Sequence, residues 1–159
     1  MLKLFTILLV SIQLISCNTV KKYAQNFSPS YHKMNVRVTA YAAVEDKVYR
    51  NKSAVGTILK TNYSLATDWS KIPYGTIVKF DGRIYKVEDY GSALVRNEKL
   101  PIVDLYVANR AAIRKWGSRE KEIEIIRWGS FAESKKILES RLHNKHCRKM
   151  YNLIVCQTK

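Results

Sequence analysis

The chain has 159 residues, a formal net charge of +15 and a hydrophobic fraction of 47%. That length and composition describe one globular domain with extensions, whose core can close without disulfides. The positive charge calls for an acidic partner. No nucleic-acid recognition motif is present, which sets nucleic acid aside.

Residues 1–16 read as an export signal. Met1-Leu2-Lys3 is a short basic region, and Leu4 to Ser16 is an apolar stretch too short to span a bilayer comfortably. It ends in Leu14-Ile15-Ser16-Cys17, which resembles a bacterial lipobox with Cys17 as the lipidated N-terminus. An ordinary signal peptide followed by an incidental cysteine is the alternative. The expected location is the cell envelope, as a membrane-anchored lipoprotein facing the periplasm. There, anionic lipid headgroups and the carboxylates of cell-wall peptides are the natural partners of a basic chain. Residues 17–33 are polar, lack a period and contain Ser28-Pro29-Ser30, as a tether would.

The domain is expected over residues 34–129. Met34 to Ala42 alternates, with Val36, Val38 and Ala40 on one face and Arg37, Thr39 and Tyr41 on the other, which predicts a half-buried strand. Gly56 to Leu59 predicts a second short strand, and Leu65 to Trp69 is an apolar, strand-like stretch with Asp68 inside it or at its edge. Ile72-Pro73-Tyr74-Gly75 is a turn. Thr76 to Phe80 and Arg83 to Val87 flank Asp81-Gly82, the pair a two-residue type I′ hairpin turn needs. Ile102 to Val107 predicts a strand, and Asn109 to Trp116 a short helix ended by Gly117. Glu122 to Trp128 contains a strand with Ile123 and Ile125 on one face.

Residues 130–159 are expected to form a basic C-terminal helix and tail. Ser130-Phe131-Ala132-Glu133 is a capping box, and Phe131, Leu138 and Leu142 form a stripe. The segment carries Lys135, Lys136, Arg141, Lys145, Arg148 and Lys149, which suits contact with anionic lipid. Cys147 and Cys156 are a candidate disulfide, which an exported compartment permits. His143 and His146 read as solvated, and the spacing of these histidines and cysteines does not fit a metal site.

Asp68, Asp89 and Asp104 stand inside or at the edge of strand-like stretches, where aspartate is depleted. Burying a carboxylate is costly unless it is paired, hydrogen-bonded or protonated. One such residue can be a turn cap. Three suggest chemistry.

With their flanks they read Ala66-Thr67-Asp68-Trp69-Ser70-Lys71-Ile72-Pro73-Tyr74-Gly75-Thr76, then Val87-Glu88-Asp89-Tyr90-Gly91, then Ile102-Val103-Asp104-Leu105-Tyr106. This order resembles the 3D domain, named for three aspartates. That domain occurs in the MltA family of membrane-bound lytic murein transglycosylases and in short exported cell-wall proteins. Val38-Thr39-Ala40-Tyr41 and Asn109 to Gly117 extend the resemblance, which spans Val36 to Trp128. It implies a mainly β fold, a six-stranded double-psi β-barrel with one or two short helices before the C-terminal helix. It also implies cleavage of peptidoglycan glycan strands between N-acetylmuramic acid and N-acetylglucosamine. One carboxylic acid would act as acid and then base, leaving a 1,6-anhydro end, with no cofactor or metal. By family position, Asp104 would be that group and Asp89 the second catalytic carboxylate. Asp68, Thr67, Tyr41 and Gly91 would lie at the substrate. The link Tyr90 to Val103 departs from the family pattern: it is several residues longer, and Ser92 stands where a second glycine is usual. A non-catalytic wall-binding or scaffold module on the same barrel is therefore the alternative.

Overall fold

The computed structural model describes residues 33–43, 51–96 and 99–157. The expected export signal, Cys17 and the tether as far as residue 32 lie outside the described residues. Six strands close into a barrel: β1 (Lys33–Tyr41), β2 (Ser64–Thr67), β3 (Ile77–Phe80), β4 (Arg83–Asp89), β5 (Ile102–Tyr106) and β6 (Arg119–Arg127). Their order around the barrel is β1-β5-β2-β4-β3-β6. β1 is parallel to β5 and β2 to β4, while the other neighbours are antiparallel. Among the described residues three α-helices accompany them: α1 (Arg110–Trp116) between β5 and β6, and α2 (Phe131–Glu139) and α3 (Lys145–Gln157) after β6. The expected mainly β, closed six-stranded fold with accompanying helices is what the chain forms.

The period-two patterns set which side chains fill the barrel. Val36 and Val38 of β1, Val103 and Leu105 of β5, and Ile123 and Ile125 of β6 are buried, while Ile126 is half exposed on the outside. The hairpin turn has both central residues at positive φ, Asp81 at 48° and Gly82 at 73°, as a type I′ turn requires. The helix after β5 begins at Asn109, whose side chain accepts the Ala112 N–H, and ends at Gly117 as expected. Gly56 to Leu59 does not form a strand: it contributes one bridge, Lys52 to Ile58. The second strand is instead β2, all four of whose residues are buried. A strand covered on both faces shows no alternation, so periodicity does not separate it from an apolar turn.

The C-terminal segment is two helices, not a helix and a tail. Ser130 caps α2 by accepting the Glu133 N–H. α3 then buries Cys147, Met150 and Ile154 in the main core. Met150 Sδ accepts the Trp69 N–H at 3.3 Å, and the Gln157 amide donates to the Ser70 carbonyl at 2.9 Å. The expected disulfide is not formed: Cys147 and Cys156 are not bonded to each other. Nine positions apart on one helix, they are separated by about 13 Å of rise and half a turn of rotation, too far for a bond that needs Cα atoms within about 7 Å.

The Ile72-Pro73-Tyr74-Gly75-Thr76 turn is held against the start of α2. The Thr76 hydroxyl donates to the Pro73 carbonyl and accepts the Gly129 N–H. The Ser130 N–H donates to the Tyr74 carbonyl, and the Ser134 hydroxyl accepts the Tyr74 N–H. The backbones approach so closely that a Cβ on Gly129 would lie 2.0 Å from the Tyr74 carbonyl oxygen. No rotamer relieves a clash with backbone. Gly129→Ala is therefore expected to cost at least about 3 kcal/mol in urea unfolding. A loss below about 1 kcal/mol would mean that this contact does not pin the turn.

Candidate active site

The pairing register puts four residues in one row across four strands. Thr39 of β1 pairs with Asp104 of β5, Asp104 with Ala66 of β2, and Ala66 with Asp89 of β4. Residues paired across a sheet share a face. Their neighbours Val38, Val103, Leu65 and Val87 fill the interior, so the row lies on the outer face. The β2/β4 register shifts between Leu65 and Ala66: Leu65 pairs with Val87 and Ala66 with Asp89. Glu88 is the extra residue, and such a bulge re-aims the side chain that follows it. Glu88 itself is buried, accepting the Ser64 hydroxyl at 2.8 Å and pairing with Lys86 at 3.0 Å.

Asp104 is half-buried and accepts the Thr39 hydroxyl on Oδ1 at 2.8 Å. Asp89 takes three donors: the Tyr41 hydroxyl on Oδ2 at 3.0 Å, and on Oδ1 the Ala54 and Tyr90 N–H groups at 2.8 and 3.0 Å. Burial pushes the Asp89 carboxyl above the usual carboxylate range, and those donors and Arg141 only partly offset it. Tyr41 lies two residues beyond Thr39, on the same face of β1. Its phenol is held well above the usual tyrosine range, first by burial, then by Asp89 and Asp104. It is therefore a protonated donor that bonds one carboxylate and stands in the field of the other. Strand spacing puts the Asp89 and Asp104 Cα atoms about 10 Å apart, with Ala66 between them. The Tyr41 side chain fills that interval from above, its ring edge-on to Tyr106 at 5.3 Å.

The other predicted site residues do not join this pair. Asp68 is 2% exposed, and its carboxylate accepts the Ser70 N–H at 3.0 Å and the Ser70 hydroxyl at 2.6 Å. Its carbonyl accepts the N–H groups of Lys71 and Ile72. It caps its own turn, so of the three aspartates only Asp89 and Asp104 share the outer row. Thr67 is fully buried and gives its hydroxyl to the Ile72 carbonyl at 2.7 Å, which closes it to a substrate. Gly91 opens a 3₁₀ turn, Ser92–Leu94, and its carbonyl accepts the Leu94 N–H. It shapes the long link, which brings Leu94 into a small cluster with Ala66, Ile102 and Tyr41.

Beside Asp89 opens a cleft of about 590 Å³. Asp89, Tyr90 and Ser92 line it from the barrel, and Arg141, Asn144 and His146 from the α2–α3 turn and the start of α3. The Tyr90 ring is edge-on to Trp69 at 4.9 Å and 5.6 Å from the His146 ring. Burial and the Cys147 thiol push the Tyr90 phenol up to about 12. His146, expected to be solvated, is half-buried, and burial lowers its pKa. Among the described residues no group of three His, Cys, Asp or Glu side chains is placed to hold a metal ion. Thr39 and Arg141 were not among the predicted site residues. Thr39 shares a face with Tyr41 in the β1 alternation, which was the signal for it. Arg141 lies within a run of basic residues, which offered none.

No protein-family model matches the chain, and no curated protein matches it. Among solved structures, the chain is similar to MltA from Escherichia coli, described as having a unique lytic transglycosylase fold. The two are 24% identical with a TM-score of 0.36, over 50% of this chain and 28% of that one.

The raised Asp68 pKa has a consequence for stability. Between the ordinary carboxylate pKa and the raised one, the native state holds more protons than the unfolded state. Stability therefore falls as pH rises through that window. Asp68→Asn keeps an acceptor for Ser70 and removes the titration. It is expected to flatten the fall and to be at least as stable as wild type at pH 7, with the remaining slope from Asp89. Asp68→Ala loses the cap and is expected to cost about 1–2 kcal/mol. Urea unfolding between pH 4 and 8 tests both, and an unchanged slope in Asp68→Asn would count against burial as the cause.

Proposed function

We propose that the protein is an exported cell-envelope lipoprotein, anchored through Cys17, that cleaves peptidoglycan without hydrolysis. Asp104 is the acid/base. Its protonated carboxyl gives its proton to the glycosidic oxygen between N-acetylmuramic acid and N-acetylglucosamine as the C1–O bond breaks. The carboxylate then removes the proton of the muramyl C6 hydroxyl, whose oxygen bonds to C1 and leaves a 1,6-anhydro ring. Asp104 ends the cycle protonated, and no water enters. Thr39 orients Asp104 by its hydrogen bond. Asp89 supplies negative potential toward the positive charge that develops on the sugar ring, and Tyr41 fixes its orientation.

The observation that carries this reading is the row of Thr39, Asp104, Ala66 and Asp89 on one outer face, with the Tyr41 hydroxyl bonded to Asp89. These aspartates occupy the second and third positions of the motif order. A module that only binds has no need to arrange two half-buried carboxylates around a protonated phenol. One observation favours the binding alternative: the lengthened link packs Leu94 into the cluster containing Ala66, between the two aspartates.

Digestion of purified peptidoglycan, with products read by mass spectrometry, decides between them. Wild type is expected to release anhydro-muropeptides, and Asp104→Asn to lower the rate by about 100-fold or more. Tyr41→Phe removes the hydrogen bond to Asp89 and is expected to lower it by about tenfold. Retained wall binding without anhydro products from wild type would establish the binding module.

A further inference from the structure

The cleft beside Asp89 has two walls, and the second lies beyond Trp128, where the motif resemblance stops. That wall, with Arg141, Asn144 and His146, is contributed by the α2–α3 turn and the first turn of α3. Among the described residues no salt bridge joins the charges in the cleft, although Arg141 acts on Asp89 at longer range. Asp89 already takes the Ala54, Tyr90 and Tyr41 donors. Arg141 lies over the Tyr90 ring, its guanidinium carbon 5.8 Å from the centroid, and donates one N–H to the Tyr90 hydroxyl at 3.2 Å. Among the described residues neither Arg141 nor Lys52, which lines the same cleft, is ion-paired to a carboxylate. A guanidinium has five donors in a planar fork that matches a carboxylate. Here it is steadied by a ring that is itself held: Tyr90 abuts Trp69, whose indole N–H donates to the Asp89 carbonyl at 2.8 Å. The volume of about 590 Å³ admits several residues of an extended peptide, not merely an ion.

We propose that this cleft binds the carboxylate-bearing stem peptide of peptidoglycan, with Arg141 as the carboxylate receptor and Lys52 as the second cation. The inference rests on the reading of the barrel face as a glycan-cleaving site. Asp89 belongs both to the carboxylate row and to the cleft, so a ligand group in the cleft is a substituent of the sugar at the row. On a glycan strand that substituent is the peptide, and its free carboxylates meet the two cations.

Isothermal titration of the full-length protein in detergent tests this, using a disaccharide-tetrapeptide muropeptide and its counterpart with every peptide carboxylate converted to carboxamide. Wild type is expected to bind the acid form about tenfold or more tightly. Arg141→Gln is expected to lose the preference, and Arg141→Lys, which keeps charge but not the fork, to retain part of it. Lys52→Gln, at an exposed position, gives a second reading if Arg141→Gln fails to fold, and is expected to weaken the preference. Equal binding of both forms by wild type, no binding of either, or an undiminished preference in both glutamine variants would overturn the proposal. Anhydro-muropeptide release by the same wild-type preparation is scored separately. Release without acid preference overturns the peptide subsite alone, and acid preference without release overturns the cleavage reaction alone.

Discussion

The extra residue at Glu88 fixes where Asp89 points, because β2 and β4 keep their pairing on both sides of it while the face presented by β4 changes. With unbroken alternation, Ala66 would pair with Glu88, and Asp89 would face the barrel interior beside Val87. The bulge instead turns Asp89 outward, into line with Asp104 and within reach of Tyr41. Glu88 is left buried, and its carboxylate is provided for by Ser64 and Lys86. The main-chain pairing of one four-residue strand thus determines the spacing of the carboxylates, the role of Tyr41 and the barrel wall of the cleft. Ala66 at the centre is small, so what lies above it is decided by its neighbours.

The electrostatics follow from that placement. A carboxylate removed from water needs donors or a proton. Asp68 and Asp89 are both pushed upward by burial, but their partners differ in kind. Asp68 is answered within two residues, by Ser70, which is what a turn cap does. The donors of Asp89 come from β1, from the segment around Ala54 and from its own neighbour, so it joins three parts of the chain. A carboxylate that gathers donors across the fold is more informative about a site than one that closes its own turn.

The sequence carried the barrel through residues with local consequences. Asp81-Gly82 specified the hairpin, Asn109 and Gly117 bracketed α1, and the alternation of Val36 and Val38 marked the inner face of β1. Asp89 and Asp104 were legible because aspartate is anomalous in a strand, and Tyr41 because it sits on the outer face of β1. The same anomaly overcounted, since it cannot tell a strand interior from the first residue after a strand, where Asp68 lies. β2 was legible only as a strand-like stretch without firm bounds, because burial on both faces removes its alternation, and the bulge was hidden by its dependence on a partner far along the chain. The apolar side of α3 was hidden by charge: Cys147, Met150 and Ile154 follow helical spacing, but Lys145, Arg148 and Lys149 surround them.

That last case alters what the basic charge means. Read as a tail, residues 130–159 would be a loose cationic strip. As folded, the segment is part of the core, and its cations divide by direction. Arg141 is held on Tyr90 at the cleft, and Lys149, although an exposed residue, turns its ammonium to the Val95 carbonyl at 3.2 Å, against the long link. Lys136, Lys145 and Arg148 are exposed, with one Arg148 N–H given to the Leu142 carbonyl. The outward cations remain available to an acidic surface, as a solvated face normally is. The inward ones bear on the cleft and on the link that separates the two aspartates, which ties the C-terminal helices to the same face of the barrel as the carboxylates.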